Sequence, residues 1–185
     1  MTQDPPHRAW PGDATRAQRL AEILRVDHAG EYGAVRIYEG QLAVLGRDSA
    51  AGAAIAHMAG QERRHLDTFE KLLPERRARP TLLQPFWHAA GFALGAATAM
   101  LGPKAAMACT VAVEEVIDEH YREQIESLPE SEAALKATLE EFRREEVEHR
   151  DEALSHQALD APGYEVLSGA IKAGSRLAIW LSSRI

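Results

Sequence analysis

Two copies of a Glu-x-x-His motif, each preceded by another glutamate at nearly the same distance, constrain the fold of this chain more than any other feature. The motifs occupy residues 62–65 and 146–149. Glu31 lies 31 residues before the first motif, and Glu114 lies 32 residues before the second. The two halves of the sequence therefore repeat one pattern of glutamates and histidine.

The midpoint of each interval falls on a predicted turn. The first midpoint lies within residues 46–48 and the second within residues 128–131. Residues three apart share a helix face. A helical hairpin with its turn at the midpoint brings the two ends of the interval to the same height, about 23 Å from the turn at about 1.5 Å per residue. Each half thus predicts a hairpin with one glutamate opposite a Glu-x-x-His pair.

This pattern predicts a ferritin-like di-iron bundle, in which two helices each supply one Glu and the other two each supply Glu-x-x-His. Four buried carboxylates would repel one another unless cations neutralised them, and two ferrous ions cancel four such charges. Carboxylate with imidazole suits iron or manganese. We therefore expect two Fe ions per chain, on these ligands: Glu31, Glu62, His65, Glu114, Glu146 and His149.

The rest of the chain is also predicted to be helical, because few stretches show the alternation of apolar and polar residues that is typical of strands. The predicted class is all-α, with an additional apolar helix between the halves and a C-terminal amphipathic helix. Residues 1–14 are predicted to be a flexible N-terminal tail, and 15–185 a single ferritin-like domain. The predicted helices cover residues 15–45, 49–73 (stopped by Pro74), 86–101, 104–128, 131–159 and 164–183.

Two of these helices have an open role. Residues 80–113 carry a single formal charge, on Lys104, but their longest unbroken part, 86–101, is shorter than the roughly 20 residues that span a bilayer. An interfacial or re-entrant helix and a buried core helix both fit this segment. The last helix is amphipathic and mildly basic, which fits either packing on the bundle or contact with anionic lipid.

Composition excludes several classes of function. A net charge of -7, without a cluster of lysine and arginine, argues against a nucleic-acid partner. Cys109 is the only cysteine, so an internal disulfide and a cysteine-ligated iron–sulfur cluster are excluded. The first residues lack the apolar core of a secretory signal, so we expect the cytoplasmic side. Without a G-x-G-x-x-G signature, electrons should come from an external donor.

Helical projection at 100° per residue places further polar side chains near the predicted ligands. Asp27 and Tyr38 fall near Glu31, and Asp118 and Tyr121 fall near Glu114. Such neighbours could orient metal ligands. An ordinary role in the core or at the surface fits each of them equally.

Longer motifs resemble a known family. They are Arg-Val-Asp-His-Ala-Gly-Glu-Tyr-Gly-Ala at 25–34, Ala-Met-Ala-Cys-Thr-Val-Ala-Val-Glu-Glu at 106–115, and the apolar segment between the halves. From about residue 20 to 185 the chain resembles the demethoxyubiquinone hydroxylases. The resemblance implies the same six iron ligands, with Glu114 and Glu146 preferred to the adjacent glutamates. His120 and Tyr121 match a family pair near the metal, and they are the candidate catalytic residues.

The resemblance also implies an activity. The family adds one hydroxyl to a polyprenylated methoxy-methyl-benzoquinol in ubiquinone biosynthesis, using O2 at a membrane surface. It implies a di-iron monooxygenase, peripheral on the cytoplasmic face of a bacterial cell membrane or on the mitochondrial inner membrane of a eukaryote. Further expected partners are an electron donor such as NADH, and a lipid-presenting protein or a second copy of the chain.

Three other functions would use a similar fold. An iron oxidase, iron-storage or peroxide-detoxifying bundle would use the same six ligands, but it has no use for the nearly uncharged segment 80–113. A tRNA hydroxylase is disfavoured by the negative net charge. A lipid-binding scaffold with a decayed metal site is disfavoured because all six ligands are present.

Overall fold

The computed structural model describes residues 14–185, and within them the predicted all-α class is confirmed. The described part contains six α-helices and two short 3-10 turns, without a strand. The predicted N-terminal tail lies outside the described residues except for Ala14, so its boundary stays a prediction. The helices are α1 (Arg16–Leu45), α2 (Ala50–Glu75), α3 (Gln84–Met100), α4 (Pro103–Ser127), α5 (Ala133–Ser155) and α6 (Tyr164–Arg184).

Two helical hairpins form the central bundle. Helix α1 packs along α2 and α4 packs along α5, while α2 also contacts α5 and α1 contacts α4. The side chain of Thr15 begins α1 with a capping box, and the Ser49 hydroxyl caps α2. Gly46 turns the first hairpin with a φ of 68°, a left-handed conformation that glycine adopts without steric penalty. Both turns lie where the midpoints predicted them.

Two predicted helix ends were wrong. Pro74 does not stop α2 but lies inside its last turn, and the helix continues to Glu75. Helix α5 was predicted to reach residue 159 and ends at Ser155 instead. The reason is Gln157, whose positive φ of 61° breaks the right-handed helix before a short 3-10 turn at Ala158–Asp160.

Helix α3 lies against α1 at backbone distance. A Cβ atom added at Gly95 would lie 1.9 Å from the Ile37 carbonyl oxygen, and one at Gly40 would lie 2.2 Å from the Phe92 carbonyl oxygen. Such separations leave no room for a side chain, so the glycines allow the two helices to touch. The inner face of α3 is therefore packed on the bundle.

Helix α6 packs on α4 and α1, next to α3. Lys172 pairs with Glu115 and Arg176 pairs with Glu119, which joins α6 to α4. The indole nitrogen of Trp87 on α3 donates to the Ser182 hydroxyl on α6 at 3.1 Å. The sequence left open whether α6 packs on the bundle or contacts anionic lipid, and these contacts show that it packs on the bundle.

The outer surface of α3 and α6 is apolar and exposed. Within residues 14–185, no helix is both long and apolar enough to cross a bilayer. The large exposed apolar side chains on and beside these helices are Leu82, Phe86, Phe92, Met100, Leu101, Val166, Leu177, Trp180 and Ile185.

Candidate metal centre

The bundle brings all six predicted metal-binding residues into its interior. Helices α1 and α4 contribute one glutamate each, and α2 and α5 contribute one Glu-x-x-His pair each. None of the six residues is more than 3% exposed. The equal spacing from the two turns therefore places them at one level of the bundle, as the sequence predicted.

These residues form two overlapping groups, each of which could hold a metal ion. One group contains Glu31 and His65, and the other contains Glu114 and His149. Glu62 and Glu146 belong to both groups. Within each group, one potential ligand atom per residue lies within 4.8 Å of all the others. Each group could therefore hold one ion, with Glu62 and Glu146 within reach of both positions.

Unsatisfied buried atoms point to the same conclusion. Glu62 Oε1 and His65 Nδ1 are buried and have no hydrogen-bond partner. His149 Nδ1 lies 3.1 Å from Glu62 Oε1, and Glu146 Oε1 lies 3.1 Å from His65 Nδ1. Buried polar atoms are nearly always partnered. A cation between these atoms would satisfy them, so the residues present fit a pair of divalent ions.

The negative charges of the buried glutamates must be neutralised by bound cations or by protons. Burial, followed by repulsion from Glu146, raises the pKa of both Glu62 and Glu114 well above its ordinary value. Burial also raises the pKa of Glu146, but hydrogen bonds and charges from His149 and His65 outweigh it and bring that pKa to about 2. Divalent ions would replace the protons that Glu62 and Glu114 otherwise retain.

Two buried tyrosines hold the glutamates of α1 and α4 in place. The Tyr38 hydroxyl on α1 donates to Glu114 on α4 at 2.8 Å. The Tyr121 hydroxyl on α4 donates to Glu31 on α1. Each tyrosine follows the glutamate of its own helix by seven residues but contacts the glutamate of the opposite helix. The sequence predicted each tyrosine near the glutamate of its own helix, so these contacts across the bundle differ from the predicted pairing.

Sequence reasoning missed the partners of the outward-facing histidine nitrogens. His65 Nε2 donates to Glu145 Oε2 at 2.6 Å, and His149 Nε2 donates to Gln61 Oε1 at 3.1 Å. Arg64 also binds Glu145. The available signal was position, because Gln61 and Glu145 each directly precede the glutamate of a Glu-x-x-His motif.

His120 lies outside both carboxylate–histidine groups. Its Nε2 atom is 3.6 Å from Asp27 Oδ1 and 2.9 Å from Gln124 Nε2, and its side chain is 20% exposed. Of the two candidate catalytic residues, Tyr121 therefore contacts a predicted metal ligand and His120 does not. Asp118, also predicted near the site, forms an ion pair with Arg143 instead.

An apolar cavity of about 490 Å³ adjoins the bundle where α1 and α4 meet α3 and α6. Gly30 and Gly33 on α1 flank Glu31 in sequence, and Val113 on α4 directly precedes Glu114; all three line the cavity. Phe86 and Leu177 line it from α3 and α6 and are also exposed on the outer surface. The cavity therefore connects the exposed apolar surface with the helices that carry the two tyrosine-bound glutamates.

Known proteins are similar to this chain over most of its length. The profile of the family described as ubiquinone biosynthesis protein COQ7 matches residues 18–182. The chain belongs to the COQ7 family. A relative from Rhodospirillum rubrum, named 3-demethoxyubiquinol 3-hydroxylase, is 61% identical over 175 residues, covering 95% of this chain and 82% of its own length.

Eukaryotic relatives of this chain carry related names. The human relative, NADPH-dependent 3-demethoxyubiquinone 3-hydroxylase, mitochondrial, is 54% identical over 88% of this chain and 76% of its own length. The Saccharomyces cerevisiae relative, 5-demethoxyubiquinone hydroxylase, mitochondrial, is 41% identical over 97% of this chain and 87% of its own length. The predicted family is confirmed, and the relatives' names agree with the predicted hydroxylase class.

In the metal-free protein, Glu62→Gln should increase the free energy of unfolding at pH 8. The pKa of Glu62 is raised in the folded state, so this group favours folding below its ordinary pKa and loses that contribution as pH rises. We expect a gain of at least about 1 kcal/mol, the ordinary scale of a single substitution, because glutamine carries no charge that burial or Glu146 would destabilise. Urea unfolding at pH 5.5 and 8 after chelation would measure it.

The matched control is Glu148→Gln, which makes the same chemical change at an exposed position of α5. In this variant, the free energy of unfolding should change between pH 5.5 and pH 8 by the same amount as in the unaltered protein. A Glu62→Gln variant whose free energy of unfolding falls at pH 8 would contradict the destabilisation of the Glu62 carboxylate by burial and by repulsion from Glu146.

Proposed function

We propose that this chain is a di-iron monooxygenase that hydroxylates the ring of a polyprenylated methoxy-methyl-benzoquinol with O2. The observation that carries the proposal is the pair of buried carboxylate–histidine groups that share Glu62 and Glu146. Family membership supports the substrate, because relatives are named for hydroxylation of demethoxyubiquinol or demethoxyubiquinone.

The six predicted ligands then fall into two kinds, those that belong to one group and those that belong to both. Glu31 and His65 would bind one iron, and Glu114 and His149 the other. Glu62 and Glu146 could supply oxygen ligands to either ion, since they belong to both groups. Iron rather than manganese suits the proposed use of O2, and an iron pair, once bound, would supply the activation of O2. Tyr38 and Tyr121 hold the non-bridging carboxylates by hydrogen bonds.

The apolar cavity suits the substrate's long isoprenoid tail. Small-molecule sites typically have volumes of about 300–1,000 Å³ and a mainly apolar lining, and this cavity has about 490 Å³. Because Phe86 and Leu177 are both exposed and cavity-lining, the tail can extend to the outer surface. The ring would then lie on the side of Gly33, close to the helices that carry Glu31 and Glu114.

The exposed apolar surface of α3 and α6 supports attachment to a membrane. Leu82, Met100 and Val166 are 71%, 76% and 80% exposed, and Trp180 is 51% exposed with the Arg184 guanidinium over its ring. Amphipathic helices of this kind lie in the plane of the lipid surface. We place the protein at the surface of the membrane that holds its quinone, cytoplasmic in a bacterium or mitochondrial in a eukaryote.

The reaction needs two electrons from outside the chain. The ring gains one oxygen atom, and the second oxygen atom of O2 leaves as water after taking up two electrons and two protons. The human relative's name includes NADPH-dependent. We therefore assign a reduced nicotinamide as the external donor.

The adjacent glutamates of α4 test the assignment of ligands. Glu114→Ala should reduce bound iron below two per chain and slow quinol hydroxylation by at least about 100-fold, since residues that merely orient a ligand change activity by 10–100-fold. Iron analysis and mass spectrometry of the quinol measure both. Glu115→Ala is the matched control, because Glu115 is less buried and pairs with Lys172. Equal iron content and equal activity in the two variants would overturn the proposed ligands.

Filling the cavity tests the substrate site separately. Gly33 lines the cavity, and a Cβ atom there meets nothing within 4 Å. Gly33→Leu should leave the iron content at the level of the unaltered protein and slow hydroxylation of a long-tailed quinol by roughly tenfold or more. Gly60→Leu, at an exposed and equally open position on α2, is the control. Unchanged turnover by Gly33→Leu would place the substrate elsewhere.

A further inference from the structure

The two metal-binding halves are related by contacts that cross the bundle. His65 on α2 donates its outward nitrogen to Glu145 on α5, and His149 on α5 donates its outward nitrogen to Gln61 on α2. Each acceptor stands one residue before the glutamate of the opposite motif. The same exchange relates α1 and α4, where each tyrosine donates to the other helix's glutamate.

These four crossing contacts differ in one chemical respect. Both glutamates receive a tyrosine hydroxyl, and both histidines present Nδ1 to the carboxylates while Nε2 points outward. The outward partner of His65 is a carboxylate, however, whereas that of His149 is a neutral amide. The two metal-binding groups themselves contain the same residue types. The chemical difference is therefore in the residues that accept a hydrogen bond from the two histidines.

We propose that Glu145 makes the two metal positions electronically unequal, so that the ion beside His65 holds the higher charge. This inference rests on the proposed di-iron function. A carboxylate that accepts from Nε2–H draws the proton outward, which increases the electron density that Nδ1 donates to a metal. The amide of Gln61 is a weaker acceptor than an ionised group. One-electron oxidation of a di-ferrous centre should therefore place the ferric ion beside His65.

The surroundings of Glu145 fit a fixed partner rather than a passing surface contact. Its side chain is 14% exposed, and Arg64 binds the same carboxylate oxygen that His65 contacts. The ring of His65 also stacks on Phe142 with centroids 4.0 Å apart, which limits its rotation. Both Glu145 and the histidine ring are thus held in the orientation that the contact requires.

The test is an anaerobic redox titration of the full chain loaded with ferrous iron, with the mixed-valence signal measured by electron paramagnetic resonance. An unequal pair stabilises the mixed-valence state, and the comproportionation constant reports that stability. Glu145→Gln gives both histidines an amide, and Gln61→Glu gives both a carboxylate. Each single variant should lower the constant by about tenfold or more. The double variant Gln61→Glu with Glu145→Gln should restore it, with the ferric position exchanged.

Glu148→Gln is the matched control, because it removes one exposed charge from the same helix without touching a histidine. It should leave the constant unchanged. If Glu145→Gln binds fewer than two ions, Gln61→Glu decides the outcome alone.

An unchanged constant in iron-loaded Gln61→Glu, or a double variant no better than the single ones, would overturn the inequality while leaving the proposed function standing. An unaltered protein that binds no iron pair would overturn both.

Discussion

The mutual repulsion of four buried carboxylates is the constraint on which the rest of this structure depends. Glutamates are almost never fully buried without partners, yet four of them meet in the bundle interior, each no more than 3% exposed. Two histidines, two tyrosines and the proposed pair of cations compensate for that arrangement. A core of this kind is unfavourable for stability in the metal-free state, and the same property would favour the binding of divalent ions.

The remaining helices are arranged around that centre. Helices α3 and α6 are not needed to hold the six residues, which all come from α1, α2, α4 and α5. They instead lie beside each other over α1 and α4, where they enclose an apolar cavity and expose an apolar outer surface. In the proposed function, this layer is what distinguishes a hydroxylase of membrane-embedded quinols from a soluble bundle with the same metal ligands.

The clustering of the six residues could be predicted from the sequence because helix geometry is regular. A turn at the midpoint of each Glu-to-Glu interval fixes the register of a hairpin, so Glu31 and Glu62 had to meet. Contacts between the two hairpins were harder to predict from the sequence, since the pairing of His65 with Glu145 depends on how α2 and α5 cross. The ends at Pro74 and Ser155 depended on single residues, the latter on the left-handed backbone of Gln157. The glycines of α3 allow backbone contact with α1, and this role could be recognised only once the position of α1 was known.

The most direct test of the central claim is isotopic. The protein would be purified anaerobically, its iron counted, and its reduced form exposed to ¹⁸O2 with a demethoxyquinol while the quinol is followed by mass. The proposed function predicts about two irons per chain and one ¹⁸O atom in the product ring. Two irons with rapid O2 consumption and an unchanged quinol would contradict hydroxylation and favour an iron oxidase, and a chain without iron would contradict the metal centre itself.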